Sequence, residues 1–145
     1  SMTKACEDAL HFFSDQEYFI LHRKDKGGKT RLAPIVGPHK DEIIRRMQNT
    51  APNDLVWNYI NSNCDVHGYR SDYATYLYKL YARPIKSLDY KKKILCADGK
   101  LRSEIYVCRS DEKGKKLDRK AIRAVSVALG HNREDTAITS YIRNL

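Results

Sequence analysis

Glycine and proline fall where the hydrophobic period of this chain changes, and that punctuation constrains its fold more than any other feature. Lys4 to Phe13 sets Ala5, Ala9, Leu10 and Phe13 at helical spacing. Two β-prone runs follow, Tyr18 to Leu21 and Leu32 to Val36, and the paired glycines Gly27-Gly28 between them suit a hairpin turn. Pro38 suits the first turn of a helix with Ile43, Ile44 and Met47 on one face. A loop around Ala51 to Asp54 leads into an apolar stretch, Leu55-Val56-Trp57, continuing to Tyr59-Ile60. Asp65 is a good N-cap for a helix whose apolar face is Tyr69, Tyr73, Tyr76, Leu77 and Leu80. Arg83-Pro84 ends it, because the residue before a proline avoids helical backbone. A further helix starts at Asp118, buries Ile122, Val125 and Leu129, and stops at Gly130. A short last helix begins near Asp135 and carries Ile138, Tyr141 and Ile142. The pattern predicts a single α+β domain over residues 1–145, mainly helical, with a small N-terminal β-hairpin.

Composition narrows the function classes. The chain has 145 residues, enough for one core, with 41% apolar and 31% charged residues. No apolar run is long enough to cross a bilayer and no secretory segment opens the chain, so the expectation is a soluble cytoplasmic domain. Ser1-Met2 reads as an expression remnant. Cys6, Cys64, Cys96 and Cys108 form no CxxC pair, which argues against zinc knuckles and favours reduced thiols. Lys and Arg number 27 against 18 Asp and Glu, a formal charge of +9 that predicts attraction to a polyanion such as DNA, or else serves solubility alone. Residues 83–117 hold 11 Lys and Arg against 5 Asp and Glu, which is +6 of that total. Within them, Ile94-Leu95-Cys96 and Ile105 to Cys108 read as strands around the turn Asp98-Gly99, with a second turn at Asp111 to Gly114. This segment is expected to be an inserted basic hairpin, either solvated or laid against phosphates through Lys91, Lys92 and Lys93.

Two strings are more specific. His67-Gly68-Tyr69-Arg70 opens the tyrosine-rich helix and projects His67 and Arg70 from one face. Leu129 to Tyr141 ends one helix, presents His131 just after the glycine stop and delivers Tyr141 from the next. A His-x-x-Arg pair, a Gly-His after a helix and a tyrosine ten residues later resemble the tyrosine site-specific recombinase, or phage integrase, family. Lys26 to Arg31 looks like that family's hairpin with its catalytic lysine, and the three motifs occur in the family's order over residues 26 to 141.

The resemblance implies a catalytic domain that cuts and rejoins DNA through a 3′-phosphotyrosine, with no metal or other cofactor. Tyr141 would be the nucleophile, Arg70 would hold a non-bridging phosphate oxygen, and His131 would donate to the same phosphate. His67 would assist proton transfer at Tyr141, and Lys26 would protonate the departing 5′ oxygen. Lys29 and Arg31 would contact the DNA backbone. A phenol with an ordinary pKa near 10 needs such a cationic neighbourhood to attack. The partners implied are double-stranded DNA and further recombinase protomers in a tetrameric synapse, the fragment alone being monomeric, in a bacterial or phage-encoded protein. Taken singly, each residue has an ordinary reading: a capping histidine, a surface cation, a packed tyrosine. His11, His22 and His39 are read as ordinary.

The sequence departs from the family pattern in places. The family's other arginine, which precedes a glutamate by three positions, is matched by Lys4 before Glu7, so either Lys4 stands in for it or it was truncated away. The span from Arg70 to His131 is longer than usual, little tail follows Tyr141, and the core-binding domain is absent. The chain is therefore expected to be a catalytic fragment, slow or inactive. The alternatives are a DNA-binding module with a decayed site and a type IB topoisomerase-like activity.

Overall fold

The computed structural model describes residues 3–25, 29–57, 59, 61–109 and 113–130. Its elements run α1 (Lys4–Phe12), β1 (Phe19–Asp25), β2 (Lys29–Pro34), α2 (Lys40–Gln48) and α3 (Val66–Tyr81). A 3₁₀ turn (Ile85–Ser87) follows, then β3 (Lys93–Leu95), β4 (Leu101–Ser103), β5 (Ile105–Val107), β6 (Lys116–Asp118) and α4 (Arg119–Leu129). The strands form three separate antiparallel pairs, β1–β2, β3–β4 and β5–β6, so the domain is α+β.

Local chemistry sets the helix ends. Thr3 caps α1 by accepting from the Cys6 N–H, and its hydroxyl donates to the Thr30 carbonyl at 3.1 Å, which fastens α1 to β2. Asp65 caps α3 through the Gly68 N–H, and Asp118 caps α4 through the Lys120 N–H. Ala82 turns extended before Arg83-Pro84, and Gly130 ends α4 at φ 76°. Pro38 instead precedes α2, whose N-cap position is held by His39 without a side-chain capping hydrogen bond. Leu55 to Tyr59 forms no helix or strand among the described residues, and Leu55 and Tyr59 are exposed. The expected helix from Asp135, together with Ile60, lies outside the described residues.

The core is centred on α4, whose Ile122 and Val125 are fully buried against Leu77 of α3 and Phe13 after α1. Each such side chain contributes about 1.5–3 kcal/mol by leaving water. Phe13 meets the Tyr81 ring edge to face at 5.2 Å between centroids.

Two expectations are corrected. The buried stripe of α3 is Ala74, Leu77 and Tyr78, whereas Tyr69, Tyr76 and Leu80 are exposed. Apolar side chains surround this helix, so size favoured the wrong stripe; the true one is fixed by where α4 lies. The basic segment also folds differently. β3 pairs with β4, matching Leu95 to Leu101, and Ile105 to Val107 belongs to a second hairpin with β6. The cause is the tight turn at Ala97 to Gly99, where Gly99 has φ 83° and Cys96 N–H donates to the Lys100 carbonyl. Arg102 grips Asp98 through two bonds of 2.9 and 2.7 Å, holding that carboxyl well below its usual range.

This segment is not merely solvated, since Cys96, Ile105, Cys108 and Leu117 are buried. Its two ends meet: Arg83 binds Asp118 through Nε and Nη2, each at 2.9 Å, and reaches Glu104 at 3.3 Å. Arg119 Nε donates to the Ser103 carbonyl, and Arg123 Nη1 donates to the Leu95 carbonyl, so α4 holds both strands of the β3–β4 hairpin. All four cysteines are free thiols. Among the described residues no helix is long and apolar enough to cross a membrane.

Candidate functional site

Helical period decides where Arg70 goes. Arg70, Ala74, Leu77 and Tyr81 follow one another at steps of four, three and four, with Tyr73 and Tyr78 beside them, so Arg70 heads the stripe that packs on α4. Its Nη2 donates to the Leu129 carbonyl in the last turn of α4, at 3.4 Å. Fifty-nine positions separate the two residues. The strings around Arg70 and Leu129, singled out separately in sequence, thus meet at one place. His67 shares Arg70's side of α3 one turn earlier and is exposed.

Arg31 of β2 is buried, as are Ala33 and Pro34 of the same strand and Ile35 just after it. Its Nη1 donates to the Ala128 carbonyl. Arg31, expected to contact the DNA backbone, is buried. Directly across the ladder stands His22, paired in register with Arg31.

Two guanidinium groups therefore act on successive carbonyls at the C-terminal end of α4. That end carries unpaired carbonyls and a partial negative charge, which favours cations. Gly130 is required there twice over. Its backbone is left-handed, and a Cβ would come within 2.7 Å of the Arg31 side chain. Arg31, Arg70, His22 and Tyr73 line an open cavity of about 310 Å³ with apolar walls from Ile20, Ile35, Val66 and Leu129.

Tyr73 donates its hydroxyl to the Pro34 carbonyl at 2.7 Å, and burial raises its phenol pKa. Burial likewise raises Tyr78, and burial together with the Asp15 hydrogen bond pushes Tyr81 up to about 12. Burial thus disfavours the phenolate form of all three.

The remaining candidates are distributed unevenly. Lys4 opens α1 with its side chain 87% exposed and its amine 3.6 Å from Asp8, an ordinary surface pair. Lys91, Lys92 and Lys93 are exposed where β3 begins. Lys29 opens β2. Lys26, His131 and Tyr141 lie outside the described residues. Among the described residues no three His, Cys, Asp or Glu side chains gather as metal ligands. Comparison with protein-family models, curated proteins and solved structures finds no match for this chain.

Proposed function

We propose that this domain cleaves and rejoins DNA strands through a 3′-phosphotyrosine, in the manner of the tyrosine recombinases it resembles. The observation that carries the reading is the contact of Arg70 with the Leu129 carbonyl, which brings the His67–Arg70 string to the turn that leads into His131. In this reading Arg70 neutralises a non-bridging oxygen of the scissile phosphate, where planar paired donors match the geometry. His131 donates to the same group as charge develops. Tyr141 attacks phosphorus, its proton passing with the help of His67, and Lys26 protonates the 5′ oxygen as that bond breaks. The phosphotyrosine conserves the bond energy, so a 5′ hydroxyl from another strand reverses the step. Partners are double-stranded DNA and further protomers bound to it.

A pool of nicked duplexes of randomised sequence tests the reading, because loss of the short fragment beyond the nick traps the covalent intermediate. A protein–DNA adduct that survives denaturation is the expected result. Binding without any adduct would instead make the chain a DNA-binding module.

The second hairpin region supplies a separate prediction. Lys91, Lys92 and Lys93 are exposed on a strand end that Cys96 and Arg123 hold against the body. Changing all three to Ala should weaken binding across unrelated sequences. It should also flatten the log–log salt dependence by about 0.9 for each lost phosphate contact. Filter or fluorescence binding between 50 mM and 200 mM salt, the span over which such contacts show clearly, measures both effects. An unchanged slope removes the hairpin from the DNA interface.

A further inference from the structure

We propose that Leu95 and Leu101, at the tip of the β3–β4 hairpin, form an apolar wedge that enters the minor groove of duplex DNA and kinks it. The inference deepens the reading of the basic segment and rests on double-stranded DNA being the partner. It does not depend on the strand-transfer chemistry.

Leu95 and Leu101 stand directly opposite each other in the ladder and are 57% and 66% exposed. Single surface leucines are ordinary, but a facing pair at a hairpin tip is an apolar patch turned to solvent. Strand alternation puts Cys96 on the other face, where it is buried, so the pair points away from the body. The tip is also stiff. Gly99 turns it at φ 83°, Cys96 N–H donates to the Lys100 carbonyl at 2.9 Å, and Arg102 grips Asp98 through two bonds. Arg123 of α4 binds the Leu95 carbonyl and fixes the strand beneath. Stiffness matters because unstacking a base step opposes entry, and a pliant tip would yield before the stack did.

Charge names the occupant. Lys91, Lys92, Lys93 and Lys100 are exposed around the pair. Among the described residues of 84–120 the exposed carboxylates are Asp89 and Asp98, and Arg102 already neutralises Asp98. Such a surface fits a polyanion whose phosphates flank an apolar interior, which is the make-up of a DNA groove. Asp98 and Arg102 are bonded to each other, so between the flanking lysines the tip presents hydrocarbon. An apolar side chain carried to DNA on phosphate contacts acts by parting a base step from the minor groove, which bends the duplex toward the major groove.

The test places 2-aminopurine, whose emission rises when it leaves the stack, within short duplexes rich in flexible TA and CA steps. Saturating them with the full chain should brighten the 2-aminopurine and bring dyes at the duplex ends closer by energy transfer. Leu95→Ala combined with Leu101→Ala should return both signals to those of free duplex, while the salt slope of binding stays that of the parent. Both leucines are exposed, so the change spares the core, and the parent's own response is the primary readout. Replacing thymine by uracil, which removes only a major-groove methyl, should change nothing. A parent that binds the duplex with dark 2-aminopurine and unbent ends overturns the wedge and assigns the pair to a protein partner. A brightening that survives in the double variant, or binding that uracil weakens, overturns it as well. Adduct trapping on nicked duplexes keeps the two readings apart. Adducts without brightening sink the wedge alone, and brightening without adducts leaves a DNA-bending module and sinks strand transfer.

Discussion

Tyr141→Phe is expected to abolish the covalent protein–DNA adduct while leaving DNA affinity within about tenfold of the parent. The phenolic oxygen is the only atom removed, and losing one hydroxyl's hydrogen bond costs about 0.5–1.5 kcal/mol at most. Binding instead draws on many phosphate contacts from a domain of net charge +9. The two readouts therefore separate chemistry from recognition. The buried phenols of α3 are the poorest substitutes. Tyr73, Tyr78 and Tyr81 all have raised pKa values from burial, and Tyr73 is committed to the Pro34 carbonyl. Denaturing gels of the nicked-duplex reaction, run beside equilibrium binding on the same duplexes, decide the matter. Adducts persisting in the Phe variant would move the nucleophile elsewhere.

Much of this architecture could be read from local chemistry. Asp65 and Asp118 cap the helices expected of them, Gly130 stops α4, and Pro84 follows the end of α3 as its effect on the preceding residue requires. The misreadings arose where a choice depended on what lies across the core. Tyr69 and Leu80 are large and helically spaced, but α4 packs against the stripe through the smaller Ala74. Ile105 is β-prone, but its partner is Leu117–Asp118 rather than the nearer Ile94, because the turn at Gly99 already closes β3 on β4. At the site, Arg70 and Arg31 were both expected to meet DNA, but the burial of Arg31 was not expected. Leu32 to Val36 is apolar on both phases of the strand, so alternation does not single out Arg31, which is nevertheless buried. Its contact with α4 spans 97 positions, and no local pattern reports a pairing of that range.

The largest stability effect is expected at Asp118, where replacement by Ala should cost about 3–5 kcal/mol, the range for stripping one partner from a buried ion pair. Asp118 is fully buried and joins three structures at once. Its carboxylate accepts from Arg83 Nε, Nη2 and backbone N–H, all at 2.9 Å, which closes the segment between residues 83 and 117. It also caps α4 through Lys120, and its own N–H donates to the Tyr78 hydroxyl at 3.0 Å. Arg83 is 35% exposed, so water can partly receive its charge once the carboxylate is gone, which places the cost toward the lower end. Loss of the cap adds about 1 kcal/mol. Thermal unfolding should show a midpoint lowered by roughly 6–15 °C for a chain of this size. Asp118→Asn should fall between, since it keeps an acceptor for the Lys120 N–H while losing the charge. Acid should imitate the substitution. Burial by itself would raise the Asp118 carboxyl, but hydrogen bonds from Arg83 and Lys120, with the Arg83 charge, outweigh it and leave its pKa below the ordinary carboxylate value. A carboxyl depressed on folding contributes stability that is complete above its unfolded pKa and is lost as pH falls through the folded one. Denaturant midpoints should therefore hold from neutrality down to about pH 4 as far as this group is concerned, then decline. The decline should be shallower in Asp118→Ala, which has no such proton to take up. Equal acid sensitivity in parent and variant, or a variant within about 1 kcal/mol of the parent, would show that the hub is not what holds the two hairpins to α4.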